Sequence, residues 1–321
     1  MIILELFAGV STGRYVLEEL GIKVEACYSS EIKEAAIKCA KDNLGDKITH
    51  IGDVTKIHYK DGILYTEKGN FKVPKIDLIT SGSPCQDFSQ ANKERKGLDG
   101  EKSSLFFEFV RLLKEIKPTY FFQENVEMDM KSNNFISKTL GVDPVNINSS
   151  LVSAQIRNRY YWTNIPGNEQ TLFGTTFSQP KDKEIKLQDI LEYGYTDREK
   201  SRCVTESDSR PNATPSKMFH RYYSTGFTTL IFKNKQHYLD CKKHYNKYFK
   251  GDVKKIDTFK GDLSVYDGVR YPTQTELERL QTFPDGFTKC LTRNEAASVM
   301  GDGWNKDTIK LFFKSLKGDL I

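Results

Sequence analysis

The segment Ile76–Ser89, IDLITSGSPCQDFS, decides how the rest of the chain is interpreted. Its first half, IDLIT, is a short apolar run that predicts a buried strand, and Gly82 ends this run. Cys85 follows on a loop just beyond the carboxyl end of that strand, where open α/β sheets bind their ligands. A single cysteine near a turn is more often a small buried apolar residue than a nucleophile. Its interpretation therefore depends on what else reaches the same edge of the sheet.

Composition indicates a globular protein outside the membrane. The 321 residues suffice for one large domain with an insertion or for two domains. No apolar run approaches the roughly 20 residues that span a bilayer. The opening MIILELFAGV lacks a basic segment and a cleavage site, so we expect a first strand and a cytoplasmic protein. The six cysteines form no CxxC pair, and neither a metal site nor a disulfide framework is predicted.

Positive charge is concentrated in one segment. Residues 231–260 contain nine Lys and three Asp with no Glu or Arg, a net charge of +6, whereas the whole chain carries +5. Six Phe and Tyr residues are interspersed among these lysines. Ammonium groups bind phosphates and aromatic rings pack on bases, so the segment favours contact with a nucleic acid over a merely solvated face.

The first 54 residues have the pattern of strand–turn–helix units. Ile2–Phe7 predicts a strand, AGVSTG a glycine-containing turn, and Arg14–Leu20 a helix. A second apolar run, 24–28, precedes Glu31, which can accept hydrogen bonds from the two hydroxyls of a ribose. After a helix over 32–43, a third run at 48–51 precedes Asp53, whose carboxylate can accept from the amino group of an adenine.

A second set of polar residues is expected at the same edge as Cys85. A helix over 104–117 is followed by the strand Tyr120–Phe122, which delivers Glu124 at its carboxyl end. Residues 59–75 predict a polar hairpin or loop, residues 87–102 a lid, and residues near 131–140 a helix. Farther along, strands are expected at about 145–148 and 159–164. Side chains two apart on an extended segment share a face, so Gln155, Arg157 and Arg159 are expected to point the same way.

Composition then changes between Pro166 and Arg270. This part is rich in Asn, Ser, Thr, Lys, Tyr and Gly, and its weak periodicity predicts an inserted or appended module. Order returns with a helix through Leu280, capped by Thr273 or Thr275. A last helix reaching about Leu316 is expected to dock on the core.

Five motifs in this order resemble the cytosine-C5 DNA methyltransferase family. They are LELFAGVSTG at 4–13, SPCQ at 83–86, ENV at 124–126, QIRNR at 155–159 and GDGW at 301–304. RKGLDG, LFFEFVRLLKEIKP and SRCVTE look most like the animal de novo branch. PCQ is the form typical of bacterial and phage enzymes, and no regulatory domain precedes Met1, so a stand-alone prokaryotic or phage enzyme is expected.

The resemblance implies a fold and a domain division. The fold class is α/β, with a Rossmann-like sheet of the S-adenosylmethionine-dependent methyltransferases and a smaller, irregular target-recognition domain. Residues 1–165 would be the first part of the catalytic domain, 166–270 the target-recognition domain, and 271–321 the return to the catalytic domain.

The resemblance also implies a methyl donor, S-adenosylmethionine, which leaves as S-adenosylhomocysteine. The predicted cofactor-binding residues are Phe7, Ala8, Gly9, Thr12, Glu31, Asp53, Val54 and Trp304. The predicted substrate-binding residues are Pro84, Gln86, Ser89, Asn125, Arg210, Lys217 and Arg221. Pro84 would set the entry angle of the nucleophile loop, and Asn125 would hold the backbone of that loop.

In the implied reaction, the Cys85 thiolate adds to C6 of a cytosine that has flipped out of the duplex. Glu124 would donate a proton to N3, so its crevice is expected to favour the neutral carboxyl. Arg157 and Arg159 would bind the carbonyl oxygen of the base, orient Glu124 and meet the phosphate of the flipped nucleotide.

The expected partner is double-stranded DNA, and a cognate restriction endonuclease is a further expected partner. The enzyme itself is expected to be monomeric. One alternative is methylation of tRNA, which the size of the 166–270 module disfavours. Another is a catalytically silent nucleic-acid-binding homologue, which the joint presence of Cys85, Glu124 and both arginines disfavours. A nicotinamide oxidoreductase is disfavoured because the chain lacks the GxGxxG fingerprint.

Overall fold

The structure, a computed structural model, describes residues 1–83, 104–171, 174–205 and 215–317. Backbone contacts divide the chain into two compact units. The first unit comprises Met1–Asn148, Asn158–Pro180 and Lys306–Ile321, and the second comprises Ser149–Arg157 and Lys181–Asn305. Compactness does not decide which residues recognise a substrate, so the functional boundaries at 166 and 270 stay predictions.

A seven-stranded sheet forms the centre of the first unit, in the order β3-β2-β1-β7-β8-β10-β9. Its strands are β1 (Ile2–Leu6), β2 (Ala26–Ser30), β3 (Thr49–His50), β7 (Leu78–Ser81), β8 (Tyr120–Val126), β9 (Val145–Asn148) and β10 (Asn158–Thr163). The pairs from β3 to β8 are parallel, and β10 is antiparallel to both β8 and β9. The middle strands read as nearly continuous apolar runs because parallel sheets are buried on both faces.

The register of the parallel strands aligns their carboxyl ends. Leu6 of β1 is paired with Ser30 of β2 and with Ser81 of β7. Ser81 is in turn paired with Gln123 of β8. The residues that follow Leu6, Ser30, Ser81 and Gln123 therefore begin at one edge of the sheet, as the sequence predicted for Glu31, the SPCQ segment and Glu124; Glu124 itself still belongs to β8.

Among the described residues of the first unit, five α-helices pack with the sheet. They are α1 (Thr12–Glu19), α2 (Glu34–Leu44), α3 (Ser104–Ile116), α4 (Met130–Leu140) and α9 (Lys306–Phe313). Helix α3 buries Phe106, Phe109 and Leu112, which lie three residues apart on one face, as the predicted apolar periodicity requires. Helix α9 packs Phe312 and Phe313 against Phe122 of β8, so the predicted docking of the last helix on the core is confirmed.

Two small sheets complete the strands of the described chain. The predicted polar hairpin at 59–75 is a three-stranded antiparallel sheet of β4 (His58–Lys60), β5 (Ile63–Thr66) and β6 (Gly69–Lys72). Strands β11 (Glu169–Thr171) and β12 (Gly174–Thr176) form a short antiparallel pair. No helix in the described ranges is long and apolar enough to cross a bilayer.

The second unit is mainly helical and has an aromatic core. Its helices are α5 (Pro215–Phe219), α6 (Lys235–Tyr248), α7 (Gln274–Leu280) and α8 (Arg293–Asp302), and a π-helix at His220–Ser224 continues α5. Helix α6 buries Tyr238, Cys241 and Tyr245 and leaves its lysines exposed. Tyr245 stacks on Tyr223, with ring centroids 4.2 Å apart.

Helix α7 begins with a buried ion pair. Thr273 is the N-cap, as one of the two predictions had it, and it forms a capping box with Glu276. The fully buried carboxylate of Glu276 also receives both guanidinium nitrogens of Arg270, at 2.7 and 2.8 Å. Thr292 and Glu295 form a second capping box at the start of α8, but Glu295 is exposed.

This difference between the two capping boxes gives a matched test of stability. Glu276→Ala should lower the free energy of unfolding by about 3–5 kcal/mol, because it leaves the Arg270 charge without its buried partner. Glu295→Ala removes an equivalent but exposed capping residue and should cost about 1 kcal/mol. Urea unfolding followed by circular dichroism measures both values. Equal losses would show that the buried pair contributes no more than an exposed cap.

Candidate active site

The turn that follows β1 has an unusual backbone. Phe7, Gly9 and Ser11 all have positive φ, at 53°, 56° and 55°. Glycine adopts this conformation freely, whereas a phenylalanine and a serine there cost about 1–3 kcal/mol each. A Cβ placed on Gly9 would meet nothing within 4 Å, so the turn faces open space at this point. The turn therefore borders open space at Gly9 and does not pack against neighbouring side chains there.

Glu31 ties this turn to the end of β2. Its Oε2 accepts from the N–H of Gly9 at 2.8 Å, and its Oε1 accepts from the N–H groups of Ile32 and Lys33 at 2.8 Å each. Ala8 N–H also donates to Ser30 O, at 3.0 Å. The structure therefore brings Phe7, Ala8, Gly9 and Glu31 together, while Thr12 lies buried as the first residue of α1.

Asp53 and Val54 lie at the end of the next strand. Asp53 caps a short 3-10 helix through its Oδ1, which accepts from Thr55 N–H at 2.9 Å, and Val54 in that helix is buried. The hydroxyl of Ser30 donates to Gly52 O at 2.8 Å and links this segment to β2. Glu67, from the turn between β5 and β6, accepts from Asp53 N–H at 3.1 Å.

A buried carboxyl, Glu5, supports the turn from inside the sheet. Its Oε1 accepts from Arg14 N–H in the first turn of α1, at 2.9 Å, and Cys27 Sγ donates to its Oε2 at 3.6 Å. A Cβ on Gly13 would lie 2.5 Å from Oε1, so a glycine is required where the helix passes the carboxyl. Burial raises the pKa of Glu5 to about 7, against the lowering effect of its hydrogen bonds to Arg14, Ser11 and Cys27.

Glu124 and Arg159 form an ion pair at the carboxyl end of β8. Arg159 Nε lies 2.8 Å from Glu124 Oε1, and both side chains are largely buried. Strand β10 pairs with β8 so that Arg159 lies opposite Val126, two residues beyond Glu124. The expectation that the crevice favours a neutral Glu124 stays a prediction.

Asn125 and Gln123 flank Glu124 on β8. Asn125 is buried and its Oδ1 accepts from Val126 N–H at 2.8 Å, while its Nδ2 has no hydrogen-bond partner among the described residues. Gln123 Nε2 donates to Ser83 Oγ at 3.2 Å and so joins β8 to the start of the SPCQ segment. The predicted residues Pro84, Cys85, Gln86, Ser89 and Arg210, and the predicted lid, lie outside the described residues.

Arg157 has a different environment from Arg159. Strand β10 begins only at Asn158, so the argument from alternating side chains does not extend back to Gln155 and Arg157. Within the second unit, the buried guanidinium of Arg157 donates to the carbonyl oxygens of Val204, Gly301 and Gly303, at 3.4, 3.3 and 2.8 Å. The arginine pair is thus divided between a carboxylate in one unit and backbone carbonyls in the other.

The remaining predicted residues also belong to the second unit. Trp304 is half-buried in the segment between α8 and α9. Lys217 lies in α5, and Arg221 lies in the π-helix that follows. Their contacts with a cofactor or DNA stay predictions.

Comparison with known proteins identifies the family. A profile described as C-5 cytosine-specific DNA methylase matches residues 1–318. The chain belongs to the C-5 cytosine-specific DNA methylase family. The resemblance predicted from the five motifs is therefore confirmed.

Curated relatives of this methylase come from phages and bacteria. It is 30% identical over 200 residues to the orphan methyltransferase M.SPRI of Bacillus phage SPR, covering 60% of this chain and 42% of the relative. It is 41% identical over 124 residues to the type II methyltransferase M1.ScrFI of Lactococcus lactis subsp. cremoris, covering 39% and 28%. With M.NgoBV of Neisseria gonorrhoeae it shares 33% identity over 209 residues, covering 60% and 46%. The methylase thus matches less than half the length of these relatives.

Solved structures share the fold over the whole methylase. A methyltransferase of Entamoeba histolytica, EhMeth, matches with a TM-score of 0.67 at 16% identity, covering 100% of this chain and 99% of that one. A DNMT2 variant of Spodoptera frugiperda matches with a TM-score of 0.64 at 18% identity, covering 98% and 99%. The predicted fold class, α/β with the Rossmann-like sheet of these methyltransferases, is confirmed.

The sequence does not reveal two features of this site. The strand predicted over Ile2–Phe7 gives no role to Glu5, although a glutamate between buried Leu4 and Leu6 is itself a signal of a buried carboxyl. Ile32, directly after Glu31, is 74% exposed, and an exposed isoleucine at a ligand-binding edge offers an apolar surface to a flat ring.

The raised pKa of Glu5 makes stability depend on pH. Below its ordinary pKa of 4.5 the carboxyl is protonated whether the methylase is folded or unfolded. Between 4.5 and about 7 only the unfolded chain loses the proton, so stability falls as pH rises through this window and the loss is complete above it. In wild type the ionisation of Glu5 should lower the free energy of unfolding by up to about 3 kcal/mol across this window, and Glu5→Gln should abolish that decrease. Urea unfolding of both proteins at pH 5 and at pH 8.5 gives the difference between variant and wild type at each pH. A difference that stays constant with pH would show that Glu5 does not titrate in this window.

Proposed function

We propose that this methylase transfers a methyl group from S-adenosylmethionine to C5 of a cytosine in double-stranded DNA, through a covalent bond between Cys85 and C6. The observation that carries the proposal is the Glu124–Arg159 ion pair at the edge of the sheet where the turn after β1 and the SPCQ segment also begin. A carboxyl group held by a guanidinium is the arrangement needed to bind the polar edge of a cytosine. The family match supports the same chemistry.

The turn after β1 fits the proposed cofactor. Its positive-φ backbone and the open space at Gly9 leave room for a ligand against the main chain. Carboxylates follow β2 and β3, where hydroxyl and amino groups of a nucleoside need acceptors, and Ile32 presents an apolar surface beside Glu31. Each oxygen of a carboxylate has two lone pairs, so Oε2 of Glu31 can accept a ribose hydroxyl in addition to Gly9 N–H. When bound, S-adenosylmethionine supplies an electrophilic methyl group.

In the proposed mechanism the chain activates the base. The Cys85 thiolate attacks C6, and the electron pair of the C5–C6 bond moves toward N3, where Glu124 donates a proton. This makes C5 electron-rich enough to accept the methyl group. As C5 takes the methyl group, N3 returns its proton to Glu124. A solvent water then takes the C5 proton, and the electron pair of that C–H bond re-forms the C5–C6 double bond as the C6–S bond breaks and returns the thiolate. Arg159 holds Glu124 in place and balances the charge that develops on the base.

Asn125 has a proposed role in placing the nucleophile. The Nδ2 of Asn125 is a buried donor with no partner in the described part of the chain. Two residues earlier on the same strand, β8, Gln123 donates a hydrogen bond to Ser83. Buried donors are almost always hydrogen-bonded in native proteins. A backbone carbonyl of the segment that carries Cys85 is the partner that we propose.

Double-stranded DNA is proposed over tRNA because relatives named as type II or phage methyltransferases align with this chain. The basic segment 231–260 is available for phosphates. We further propose that the enzyme acts as a monomer in the cytoplasm of a bacterium or of a phage-infected cell, with a restriction endonuclease as its partner in a restriction–modification system. A catalytically silent homologue is disfavoured because the Glu124–Arg159 ion pair is present in this chain.

The substrate is tested with labelled S-adenosylmethionine. The purified protein should transfer label to unmethylated bacterial genomic DNA and not to bacterial tRNA, and bisulfite sequencing of the DNA should show one recurring sequence around the modified cytosines. Label in tRNA alone would replace DNA with RNA as the substrate. Label in neither would support the silent homologue.

The covalent step is tested with a mechanism-based trap. A duplex that carries 5-fluorocytosine at the mapped site should form an adduct that survives denaturing electrophoresis, because fluorine at C5 cannot leave as a cation. Cys85→Ala should form no adduct, and Cys290→Ala, which removes a half-buried cysteine of the second unit, should form it normally. An adduct that persists in Cys85→Ala would remove Cys85 from the reaction.

The two arginines should respond differently to the same substitution. Arg159→Lys keeps the charge but loses the planar fork beside Glu124, and kcat should fall by roughly 100-fold with little change in thermal stability. Arg157→Lys loses hydrogen bonds to buried carbonyls, and its free energy of unfolding should fall by about 2–3 kcal/mol. Steady-state kinetics and thermal unfolding of both variants measure this. The reverse pattern would exchange the two assignments.

A further inference from the structure

Phe227 is the most exposed aromatic side chain in the described part of the chain, with 66% of its surface accessible. It lies in the second unit and follows Gly226, whose φ of +68° turns the backbone. An exposed phenylalanine on a floppy loop would need no explanation. The question is therefore whether the backbone holds this ring in place.

Partly buried hydrogen bonds hold the backbone that carries Phe227. The Arg198 guanidinium donates to Gly226 O at 3.2 Å and to Tyr222 O at 3.3 Å, and it lies 4.6 Å above the centre of the Tyr222 ring. On the other side of the ring, Thr228 N–H donates to Arg221 O at 3.3 Å. Arg198 therefore links the turn at Gly226 to the π-helix. The backbone on both sides of the exposed Phe227 ring is held by hydrogen bonds.

The segment that carries Phe227 is basic in sequence, and Asp197 and Asp257 from elsewhere in the second unit accept hydrogen bonds from its Tyr222 and Ser216. Residues 215–233 contain Lys217, Arg221 and Lys233 and no Asp or Glu. The ring borders a small pocket of about 20 Å³ that is partly open to solvent and is lined by Arg202, Thr229, Tyr271 and Arg293, among others. Arg293 also lies 5.9 Å from the centre of the Tyr271 ring. Cationic and hydroxyl groups around an exposed ring do not suit an apolar protein partner, but they do match a polyanion that carries flat rings.

We propose that Phe227 stacks on a base of the DNA substrate as a wedge in the duplex, while Arg202 and Arg293 neutralise phosphates beside it. The inference rests on the proposed function, since it takes duplex DNA as the ligand. Proteins that bend or open a duplex insert apolar side chains between base steps, and stacking on an aromatic ring tolerates any base. Phe227 would thus contribute affinity without reading sequence, and it would stabilise an opened duplex.

Binding of a duplex that carries the mapped site tests the wedge. Phe227→Ala should raise the Kd by roughly 5- to 150-fold, as loss of one base–aromatic stack does. The slope of log Kd against log salt should not change, because no phosphate contact is lost. Arg202→Gln should weaken binding and lower that slope by about 0.9. Tyr65→Ala, which removes an exposed aromatic ring from β5 in the first unit, is the matched control and should bind as wild type does.

Tryptophan fluorescence provides a readout that does not depend on activity. Phe227→Trp should bind DNA within about threefold of wild type, and its added fluorescence should be quenched by the duplex because indole stacks on bases. An unchanged Kd for Phe227→Ala, or fluorescence of Phe227→Trp that duplex DNA leaves unaltered, would overturn the inference even if the enzyme methylates DNA. Quenching by bacterial tRNA but not by the duplex would also overturn it. Failure of wild type to methylate DNA would instead contradict the proposed function.

Discussion

The parallel register of β1, β2, β7 and β8 is the constraint on which the candidate site depends. Because Leu6, Ser30, Ser81 and Gln123 are aligned, the residues after each strand start at the same height along the sheet. A shift of one residue would reverse the faces of a strand and would also move Glu124 away from Arg159. The buried strands cannot shift in this way without exposing their apolar side chains, so the core that stabilises the fold also fixes the chemistry.

The sequence predicted this edge well because the relevant signals are local. An apolar run followed by Glu31, Asp53 or Glu124 is visible within ten residues, and the parallel sheet converts those local patterns into one site. The ion pair between Glu124 and Arg159 could also be predicted, because each residue lies in one of the five sequence motifs. What the sequence could not show is which of two neighbouring arginines takes the carboxylate. That choice depends on carbonyl oxygens near residue 301, more than 140 positions from Arg157.

The second unit was harder to predict for a physical reason. Helix α6 buries Tyr238, Cys241 and Tyr245, whose spacing is helical, but tyrosines among lysines contribute little to an apolar pattern. The core around α6 consists mainly of aromatic rings, with Leu230 and Ile256 among them. The fixed position of Phe227 depends on Arg198, which makes its contacts through backbone carbonyls that no residue pattern reveals.

The path of the chain has a consequence for protein engineering. The backbone passes between the two units four times, after Asn148, Arg157, Pro180 and Asn305. Neither unit is a continuous stretch, so no truncation at a single point yields one whole unit without part of the other. Exchange of the second unit with that of a relative would have to include 149–157 together with 181–305, because Gln155 and Arg157 bond to residues of the larger block. Exchange of the long block alone would leave the original segment 149–157 mismatched against it.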